Sequence, residues 1–399
     1  MARPDDRAFV RLPTLASAQA ELETCTFCPK LCRTVCPVSN AEPRESLTPW
    51  GKMSSVYHLA RGDVSQGERE GESGFAEVAF ACTNCGACAN ACDHQNPVGP
   101  TLNLARDAAR KAGLAPEGAT RVLAGFAAHA ADSELRARSL DPREPGTNRS
   151  RTALVVGCAY LRGAEPEALA ALQVARALVG EDVVLVGGCC GLPLLHAGDD
   201  EGFTSNLRAF AERLAPYSDV LVVDAGCARA LRAIAPLRGV PTPPIELLVE
   251  RAATSLHALA PLPDVGPARF HDPCQLGRGL GVYEAPRAVL TRLTGSAPQE
   301  FDRRRDGAAC SGAGGLLPIT FPEVARAATR DRLAEHTRGG GGTLVTACAS
   351  SLRAFRAAGE PAVDLVSLLA RAVASGTTLA TAAPGDEADG PDEPKPRQV

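Results

Sequence analysis

The sequence predicts a multidomain protein of mixed α+β and α/β class, in which a mostly helical N-terminal domain precedes two duplicated α/β modules with parallel strands. Two observations lead to this prediction. Eight of the 15 cysteines lie within the first 92 of the 399 residues, and the other seven belong to a pattern that repeats further along the chain. In that later part, short β-branched runs alternate with segments of helical period, which is typical of parallel α/β units.

An internal repeat organises the later part of the chain. Three cysteines recur at displacements of 116, 120 and 121 residues: Cys158 as Cys274, Cys190 as Cys310 and Cys227 as Cys348. Their surroundings recur as well, since CCGLPLL is echoed by CSGAGGLLP and AGCARALRA by TACASSLRAF. Each module also closes on an apolar segment for which a helix is predicted, PIELLVERAA in the first and PAVDLVSLLARAV in the second. Duplication of one module explains these matches economically.

Most cysteines of the two modules stand at the ends of predicted strands. The strand-like runs are TALVVGC, EDVVLVGGCC, SDVLVVDAGC, ARFHDPC and GTLVTAC, and amphipathic helical segments follow most of them. Ligands bind beyond the carboxyl ends of strands in open parallel sheets. We therefore expect the strand-terminal cysteines of each module to converge on one metal site.

Composition and turn signals set the domain boundaries. The N-terminal domain is predicted over residues 1–113, the first module over 151–260 and the second module over 261–374. Between the first two, residues 114–150 have a weak helical pattern that ends in a Pro/Gly/Asn/Ser cluster, and a linker is predicted there. Residues 375–399 are acidic and rich in Pro, Gly, Ala and Thr, so a disordered tail is expected.

Several function classes are excluded by composition. The formal net charge is −4 with both signs interleaved, and aromatic residues make up 4%, so no nucleic-acid partner is expected. No run approaches 18 consecutive apolar residues, which leaves membrane attachment to a partner. The first residues contain no signal-peptide core, which predicts a cytoplasmic protein with reduced cysteines. Metal ligation is therefore the first interpretation of those cysteines.

Two cysteine motifs in the N-terminal domain predict iron–sulfur clusters. The stretches CTFCPKLCRTVCP and CTNCGACANAC each present four cysteines, and the second has the bacterial ferredoxin spacing, in which three cysteines hold one cluster and the fourth ligates its neighbour. Structural zinc sites usually spread two ligand pairs across a longer insert. We therefore predict two [4Fe–4S] clusters, one held by Cys25, Cys28, Cys32 and Cys92, the other by Cys82, Cys85, Cys88 and Cys36. The three-residue gap after Cys28 and Asp93 after Cys92 depart from the usual pattern.

Three segments of the modules resemble the CCG-domain iron–sulfur proteins. They are the CCG at Cys189–Gly191, HDPCQLGRGLGVYEAPR around Cys274 and CSGAGG around Cys310. This family includes the iron–sulfur subunit of glycolate oxidase, the third subunit of anaerobic glycerol-3-phosphate dehydrogenase, lactate-utilisation proteins and heterodisulfide reductase subunits. The resemblance covers nearly everything from Cys25 to Val373. The glycine stretches GRGLG and GAGG within it are predicted to be tight turns near a cluster and not dinucleotide sites.

The resemblance implies an iron–sulfur electron-transfer subunit that relays electrons one at a time from a flavoprotein dehydrogenase of the glycolate, lactate or glycerol-phosphate type. Electrons then pass toward a membrane or quinone-reducing partner, so a peripheral position at the inner face of the membrane is implied. The alternative is a catalytic heterodisulfide or thiol-disulfide reductase subunit. Catalytic residues, the substrate and whether the chain is itself an enzyme stay open at this point.

The two modules depart differently from the five-cysteine pattern of the heterodisulfide reductase type. The first keeps four thiols, which suit one four-thiolate cluster or a zinc ion: Cys158, Cys189, Cys190 and Cys227. In the second, Ala309 and Ser351 replace expected cysteines, and three thiols remain: Cys274, Cys310 and Cys348. Two interpretations of the second module stay open. Either it has lost its site and serves as a scaffold, or it holds a cluster completed by His271, Asp272, Ser311 or a substrate.

Overall fold

The computed structural model describes residues 12–29, 31–63, 74–143, 152–180 and 182–381. Within this part of the chain the N-terminal domain packs against two α/β modules of related topology. None of the described helices is both long and apolar enough to cross a membrane.

The N-terminal domain is helical, and its described residues contain no strand. Its α-helices are α1 (Gln19–Thr26), α2 (Pro37–Ala41), α3 (Pro49–Arg61), α4 (Ala87–Asn90) and α5 (Val98–Lys111). The start of α3 is fixed by Thr48, whose Oγ1 accepts a hydrogen bond from Gly51 N at 2.9 Å, and by Pro49 in its first turn. The short helices pack on a core that includes Leu22, Met53, Phe80 and Leu102, and the cysteine motifs occupy the turns between them.

A helix of 24 residues, α6 (Glu117–Leu140), lies where a linker was predicted. It packs against α7 (Cys158–Gly163) and α9 (Leu192–Ala197) of the first module and buries Ser133 and Ala137. The segment is therefore part of the packing of the first module and not a spacer. Small residues on its buried face give a weak periodic signal, which explains why the sequence pattern understated it. The Pro/Gly/Asn/Ser cluster at 144–150 lies outside the described residues.

The first module contains a four-stranded parallel sheet in the order β2–β1–β3–β4. The strands are β1 (Thr152–Val155), β2 (Val183–Leu185), β3 (Asp219–Val222) and β4 (Ile245–Leu247). The remaining helices of this module are α8 (Glu165–Val179), α10 (Asp200–Leu214), α11 (Ala225–Arg229), α12 (Ala235–Leu237) and α13 (Leu248–Thr254). Every residue of β1 is buried, as expected for a central strand covered by helices on both faces.

The second module has a smaller parallel sheet in the order β5–β6–β7. Its strands are β5 (Ala268–His271), β6 (Thr343–Thr346) and β7 (Val363–Asp364). Its helices are α14 (Gly277–Leu280), α15 (Glu284–Thr294), α16 (Leu317–Thr320), α17 (Pro322–Arg338), α18 (Ala349–Ala357) and α19 (Leu365–Thr381). On the other edge of β5, where β2 stands in the first module, a single bridge joins Arg269 to Gln299. The duplication is thus visible in the topology, with one strand reduced.

Two expectations about how the modules end need correction. Each closing segment was predicted as a helix, but each begins as an edge strand, β4 before α13 and β7 before α19. Pairing with the neighbouring strand overrides the local helical pattern over these few residues. The tail expected to be disordered from residue 375 begins as helix, because α19 continues to Thr381 and an established helix propagates at little cost. Residues 382–399 lie outside the described residues.

The two modules interlock through reciprocal helix packing. The closing helix of the first module, α13, packs on α15 of the second, and α19 of the second packs on α8 of the first. Polar bonds also cross between the modules. Tyr160 Oη donates to Asp364 Oδ2 at 2.8 Å, and Arg356 Nη2 donates to Glu167 Oε1 at 2.8 Å. The modules share one continuous apolar core.

One buried arginine, Arg106 in α5, joins all three parts of the protein. Its guanidinium donates to Ala79 O at 2.9 Å and Cys82 O at 2.7 Å within the N-terminal domain. It also donates to His196 O of the first module at 3.0 Å and to Gly315 O of the second at 3.1 Å. His196 and Gly315, which provide the last two carbonyl oxygens, lie in matching segments of the repeat. Burial lowers the pKa of Arg106 to about 10, so the side chain still carries its charge at neutral pH.

Candidate metal centres

The eight N-terminal cysteines line two adjacent cavities. The first is bordered by Cys25, Cys28, Cys32 and Cys92. The second is bordered by Cys36, Cys82 and Cys85. Cys88 borders both. Cys92, the last cysteine of the second motif, thus lies with the first three cysteines of the first motif. Cys36, the last cysteine of the first motif, lies with the first three of the second.

Hydrogen-bond donors reach a sulfur atom in each cavity. Asn96 Nδ2 donates to Cys25 Sγ at 3.0 Å, and the buried Lys52 places Nζ 3.8 Å from Cys36 Sγ. Donors of this kind stabilise the thiolate over the thiol, and they tune the potential of a cluster that the thiolate ligates.

The donor sets of the two cavities fit [4Fe–4S] clusters. Cluster binding requires thiolates, apolar surroundings and short loops that wrap a compact cube, and all three are present here. Burial raises the pKa of Cys25 to about 12 and that of Cys32 to about 11, and it also raises the pKa of Cys82. Buried thiols of this kind keep their protons at neutral pH, so a metal that binds them must displace those protons.

Four cysteines of the first module converge at the carboxyl ends of its strands. Cys158 follows β1, Cys189 and Cys190 follow β2, and Cys227 follows β3. The sulfur atoms of Cys158 and Cys189 are 3.5 Å apart, and those of Cys190 and Cys227 are 3.4 Å apart. Two thiolates on one tetrahedral metal with bonds of about 2.3 Å stand about 3.8 Å apart. The sulfur separations therefore fit donors gathered around a metal ion or a small cluster.

The backbone around these cysteines is specialised to bring them together. Asp224 Oδ1 accepts a hydrogen bond from Cys227 N at 3.0 Å and so caps α11. Gly157 has a φ of 95°, and a Cβ at that position would lie 2.7 Å from Asp224 Cβ, so the close approach of the two loops requires glycine. Burial raises the pKa of Asp224 to about 7. A hydrogen bond from Cys189 lowers the pKa of Cys158 to about 6.

The three cysteines of the second module are arranged differently. Cys310 contacts Cys274 and also Cys85 of the N-terminal domain. Cys348 instead accepts hydrogen bonds from Ser351 and faces Asp224 of the first module. Cys274 and Cys310 therefore lie beside Cys85 of the N-terminal domain. The three thiols of the second module do not converge on a centre of their own.

The three non-cysteine groups considered as ligands in the second module all have protein partners. His271 Nδ1 accepts from Arg332 at 3.1 Å, Asp272 binds Arg287 at 2.8 and 2.9 Å, and Ser311 Oγ lies 2.8 Å from Ser351 Oγ. Desolvation lowers the pKa of His271 well below its ordinary value, so the ring is neutral. These contacts favour the interpretation in which the second module serves as a scaffold.

The glycine-rich turns of the second module dock on the CTNC motif. Arg278 Nε donates to Cys85 O at 2.7 Å, and Gln275 Nε2 donates to Asn84 O at 3.2 Å. At Gly314, a Cβ would lie 2.6 Å from the carbonyl oxygen of a residue in that motif, so the GAGG turn approaches it backbone to backbone. The turns thus lie beside the proposed second cluster.

Sequence reasoning missed three residues that the structure brings to these centres: Lys52, Arg106 and His129. Lys52 and Arg106 are buried basic side chains on helices, and neither has a local pattern that marks it. His129 lies on α6, and one of its ring nitrogens is within 4.8 Å of Cys158 Sγ and Cys189 Sγ. The weak helical pattern in 114–150 was a signal that the segment is a helix, but it did not indicate that His129 reaches the cysteines.

Two family models match the sequence. A 4Fe-4S dicluster domain matches residues 21–96, and the cysteine-rich domain matches twice, over 152–232 and 268–355. The two matches of the cysteine-rich domain contain β1, β2 and β3 of the first sheet and β5 and β6 of the second. This chain belongs to the CCG iron–sulfur family. In keeping with that family, its chemistry is 4Fe-4S iron–sulfur electron transfer.

Relatives of this CCG-family protein include components of archaeal reductases. The sequence is 27% identical to a subunit of the dihydromethanophenazine:CoB–CoM heterodisulfide reductase of Methanosarcina barkeri, over 82% of this chain and 87% of the relative. It is 27% identical to a subunit of the fumarate reductase (CoM/CoB) of Methanothermobacter marburgensis, over 74% of this chain and 59% of the relative. A shorter match, 53% identical over 13% of this chain, is to a probable membrane-anchored ferredoxin of Chromohalobacter salexigens, of which it covers 8%.

Proposed function

We propose that this protein is the iron–sulfur electron-transfer subunit of an oxidoreductase complex whose partner is a flavoprotein dehydrogenase for a small organic acid or alcohol. The relatives are designated as subunits of reductases, which supports assembly with other chains. In such a division of labour the partner carries out the two-electron step on the substrate, and this chain accepts the electrons singly.

The adjacency of the two cysteine-lined cavities is the observation that carries this proposal. Cys88 borders both of them, so groups bound there are separated by little more than one side chain. We propose that Cys25, Cys28, Cys32 and Cys92 hold one [4Fe–4S] cluster and that Cys36, Cys82, Cys85 and Cys88 hold the other. Such clusters, when bound, exchange one electron at a time.

Charged side chains of both modules favour electron acceptance at the second cavity. Arg278 and Arg229 are largely buried beside Cys85 and Cys274. Burial lowers the pKa of Arg229, whereas the pKa of Arg278 is raised, because the neighbouring thiol groups outweigh the effect of its desolvation. A positive charge held beside a centre stabilises the added electron. Both arginines also line a cleft of ≈ 720 Å³ that borders Cys92 and Asn84. We propose that this cleft is where a partner approaches the relay.

The metal content follows from the same geometry. The first module, with four converging thiols, is proposed to hold a third metal group, either an iron–sulfur cluster or zinc. The second module is proposed to hold none of its own. Its sulfur contacts from Cys85 through Cys310 to Cys274 provide a path for electrons away from the N-terminal domain.

A catalytic disulfide reductase is the second candidate. The names of several relatives refer to heterodisulfide reduction, and the contact between Cys274 and Cys310 beside Cys85 is the local observation that favours it. Under this alternative the protein would reduce a disulfide without help from a flavoprotein.

An anaerobic reconstitution separates the two candidates. The tagged protein is purified from its host without oxygen, co-purifying chains are tested for bound flavin, and reduction of the clusters on substrate addition is followed by visible absorption. We expect a flavoprotein to co-purify and to reduce the wild type rapidly, with the Cys85→Ser variant much slower and the matched Cys348→Ser control unaffected. Turnover of a heterodisulfide by the reduced protein alone, at a rate that added flavoprotein does not change, would replace the relay with the catalytic alternative.

A further inference from the structure

A histidine outside both modules' cysteine motifs reaches the thiols of the first module. His129 lies in the middle of α6, and α6 packs on α7, which begins at Cys158. One ring nitrogen of His129 and the sulfur atoms of Cys158 and Cys189 all lie within 4.8 Å of one another. Among the described residues, no other group of three potential metal ligands from histidine, cysteine and carboxylate side chains is as close.

The orientation of the His129 ring leaves one nitrogen available. Nδ1 accepts from Nη1 of Arg162, whereas Nε2 is buried, bonds no nitrogen or oxygen atom among the described residues and lies on the side of the Cys158 thiol. A buried imidazole nitrogen that faces only a thiol is costly, because a sulfur atom is a weak substitute for the water it has lost. A bound metal at this nitrogen would remove that cost.

The surroundings of His129 hold the ring in place. Phe126, one turn earlier on α6, stacks on it with ring centroids 6.3 Å apart and planes inclined by 18°. Arg162 Nε donates to Asp132 Oδ2 at 2.7 Å, so the Arg162 guanidinium contacts both the His129 ring and the Asp132 carboxylate. A ring that ligates a metal through Nε2 carries its proton on Nδ1, and Arg162, which can only donate, must then move away from Nδ1. Asp132, one turn later on α6, holds the Arg162 guanidinium beside the ring.

We propose that His129 is a ligand of the metal group in the first module, so that this centre is an imidazole–thiolate site and not an all-thiolate one. Imidazole and thiolate together suit zinc and iron, and both metals occur with such mixed donor sets. The inference rests on the proposed occupancy of the first module by metal. It gives α6 a function, because the helix then connects the N-terminal domain to the centre.

The first test measures metal retention in protein purified anaerobically. Iron, acid-labile sulfide and zinc per chain are determined before and after incubation with a chelator for wild type, His129→Ala, His129→Cys and Asp132→Asn. His257→Ala, at an exposed histidine, is the matched control. We expect His129→Ala to lose the metal of the first module and His129→Cys to keep it. Loss of an outer partner typically weakens metal binding by about 10–100-fold, so Asp132→Asn should show a smaller loss than His129→Ala.

The second test reports the ligand directly. If the metal is iron, pulsed electron paramagnetic resonance should show a strongly coupled nitrogen in wild type that disappears in His129→Cys. If the metal is zinc, X-ray absorption at the zinc edge should show a nitrogen scatterer in wild type that sulfur replaces in His129→Cys. The iron of the N-terminal domain should be unchanged in every variant, which also confirms that the chain is folded.

Two outcomes would overturn the inference. If Cys158→Ser loses the metal of the first module but His129→Ala retains it with an unchanged spectrum, His129 is a packing residue. If neither change alters the metal content, the first module holds no metal. That second result would overturn both this inference and the proposed third metal group. The proposed clusters of the N-terminal domain are tested separately by their own iron count.

Discussion

The first and second modules share a topology but differ in what lies at the ends of their strands. In the first module, sulfur atoms meet in pairs 3.5 and 3.4 Å apart within one loop cluster. In the second, Cys274 and Cys310 face Cys85 of the N-terminal domain, and Cys348 faces Asp224. The strand ends of the first module thus carry converging thiols, whereas those of the second module form a surface that docks on the rest of the protein.

The module with fewer thiols is also the one whose turns dock on the CTNC motif of the N-terminal domain. The second module contributes the turns that touch the CTNC motif, through Arg278, Gln275 and the GAGG segment. A docked turn needs close backbone packing, which leaves little room for a separate metal group. Arg106, by contrast, bonds matching segments of both modules, at His196 O and Gly315 O.

The largest expected effect is the loss of that shared contact. Arg106→Met removes a buried charge that bonds four carbonyl oxygens, and it leaves those oxygens without their partner. We expect the free energy of unfolding, measured by anaerobic urea denaturation, to fall by about 3–5 kcal/mol. The exposed Arg121→Met control on α6 should change it by less than about 0.5 kcal/mol. A loss below about 1 kcal/mol for Arg106→Met would contradict its role in joining the three parts.

The interface between the modules predicts a pH effect at Asp364. Burial raises the pKa of this carboxyl group from its ordinary 3.8 to about 7, although Tyr160 donates to it. Between about pH 4 and pH 7 the folded protein keeps a proton that the unfolded chain releases. The stability contributed by the group is therefore present at low pH and is lost as pH rises through 7.

The variant Asp364→Asn removes this dependence while keeping an oxygen to accept the Tyr160 hydrogen bond. Relative to wild type, we expect the variant to gain on the order of 1–2 kcal/mol of stability between pH 5.5 and pH 8.5. Urea denaturation at both pH values measures the difference. The control is Asp264→Asn, at an exposed carboxyl group paired with Arg371, and it should show no such gain. Parallel profiles for wild type and Asp364→Asn would show that the carboxyl group is ionised throughout.

A smaller effect is expected where the second module docks on the N-terminal domain. Arg278→Met removes the guanidinium beside Cys85 and Cys274, so an added electron is less well stabilised. We expect reduction by the flavoprotein to slow about tenfold, which corresponds to about 1.4 kcal/mol. Stopped-flow absorption measures the rate, and the metal content of the first module should stay the same. The exposed Arg326→Met variant provides the comparison, and equal rates for the two variants would remove Arg278 from the relay.

The sequence predicted most of the fold because its signals were local. Five strand-like runs that end near cysteines became β1, β2, β3, β5 and β6, and the repeat became two related parallel sheets. The exchange of Cys36 and Cys92 between the two proposed ligand sets stays a prediction from the ferredoxin spacing, and the positions of these cysteines beside the two cavities are compatible with it.

What the sequence did not predict depends on contacts between distant segments. The role of α6 is set by tertiary packing, because its buried face consists of small residues that give little periodicity. The repeat places the three cysteines of the second module at positions equivalent to those of the first. It therefore could not predict that Cys348 lies apart from Cys274 and Cys310. The four carbonyl partners of Arg106 come from three parts of the chain, and no local pattern marks such a residue.

The metal content of three proteins tests whether the first module holds a metal group while the second holds none. Iron, acid-labile sulfide and zinc per chain are measured on anaerobically purified wild type, Cys190→Ser and Cys310→Ser. We expect about eight irons from two [4Fe–4S] clusters in all three proteins, with additional metal that only Cys190→Ser loses. Equal loss of that metal in Cys310→Ser, or no metal beyond eight irons in wild type, would show that the two modules do not differ in this way.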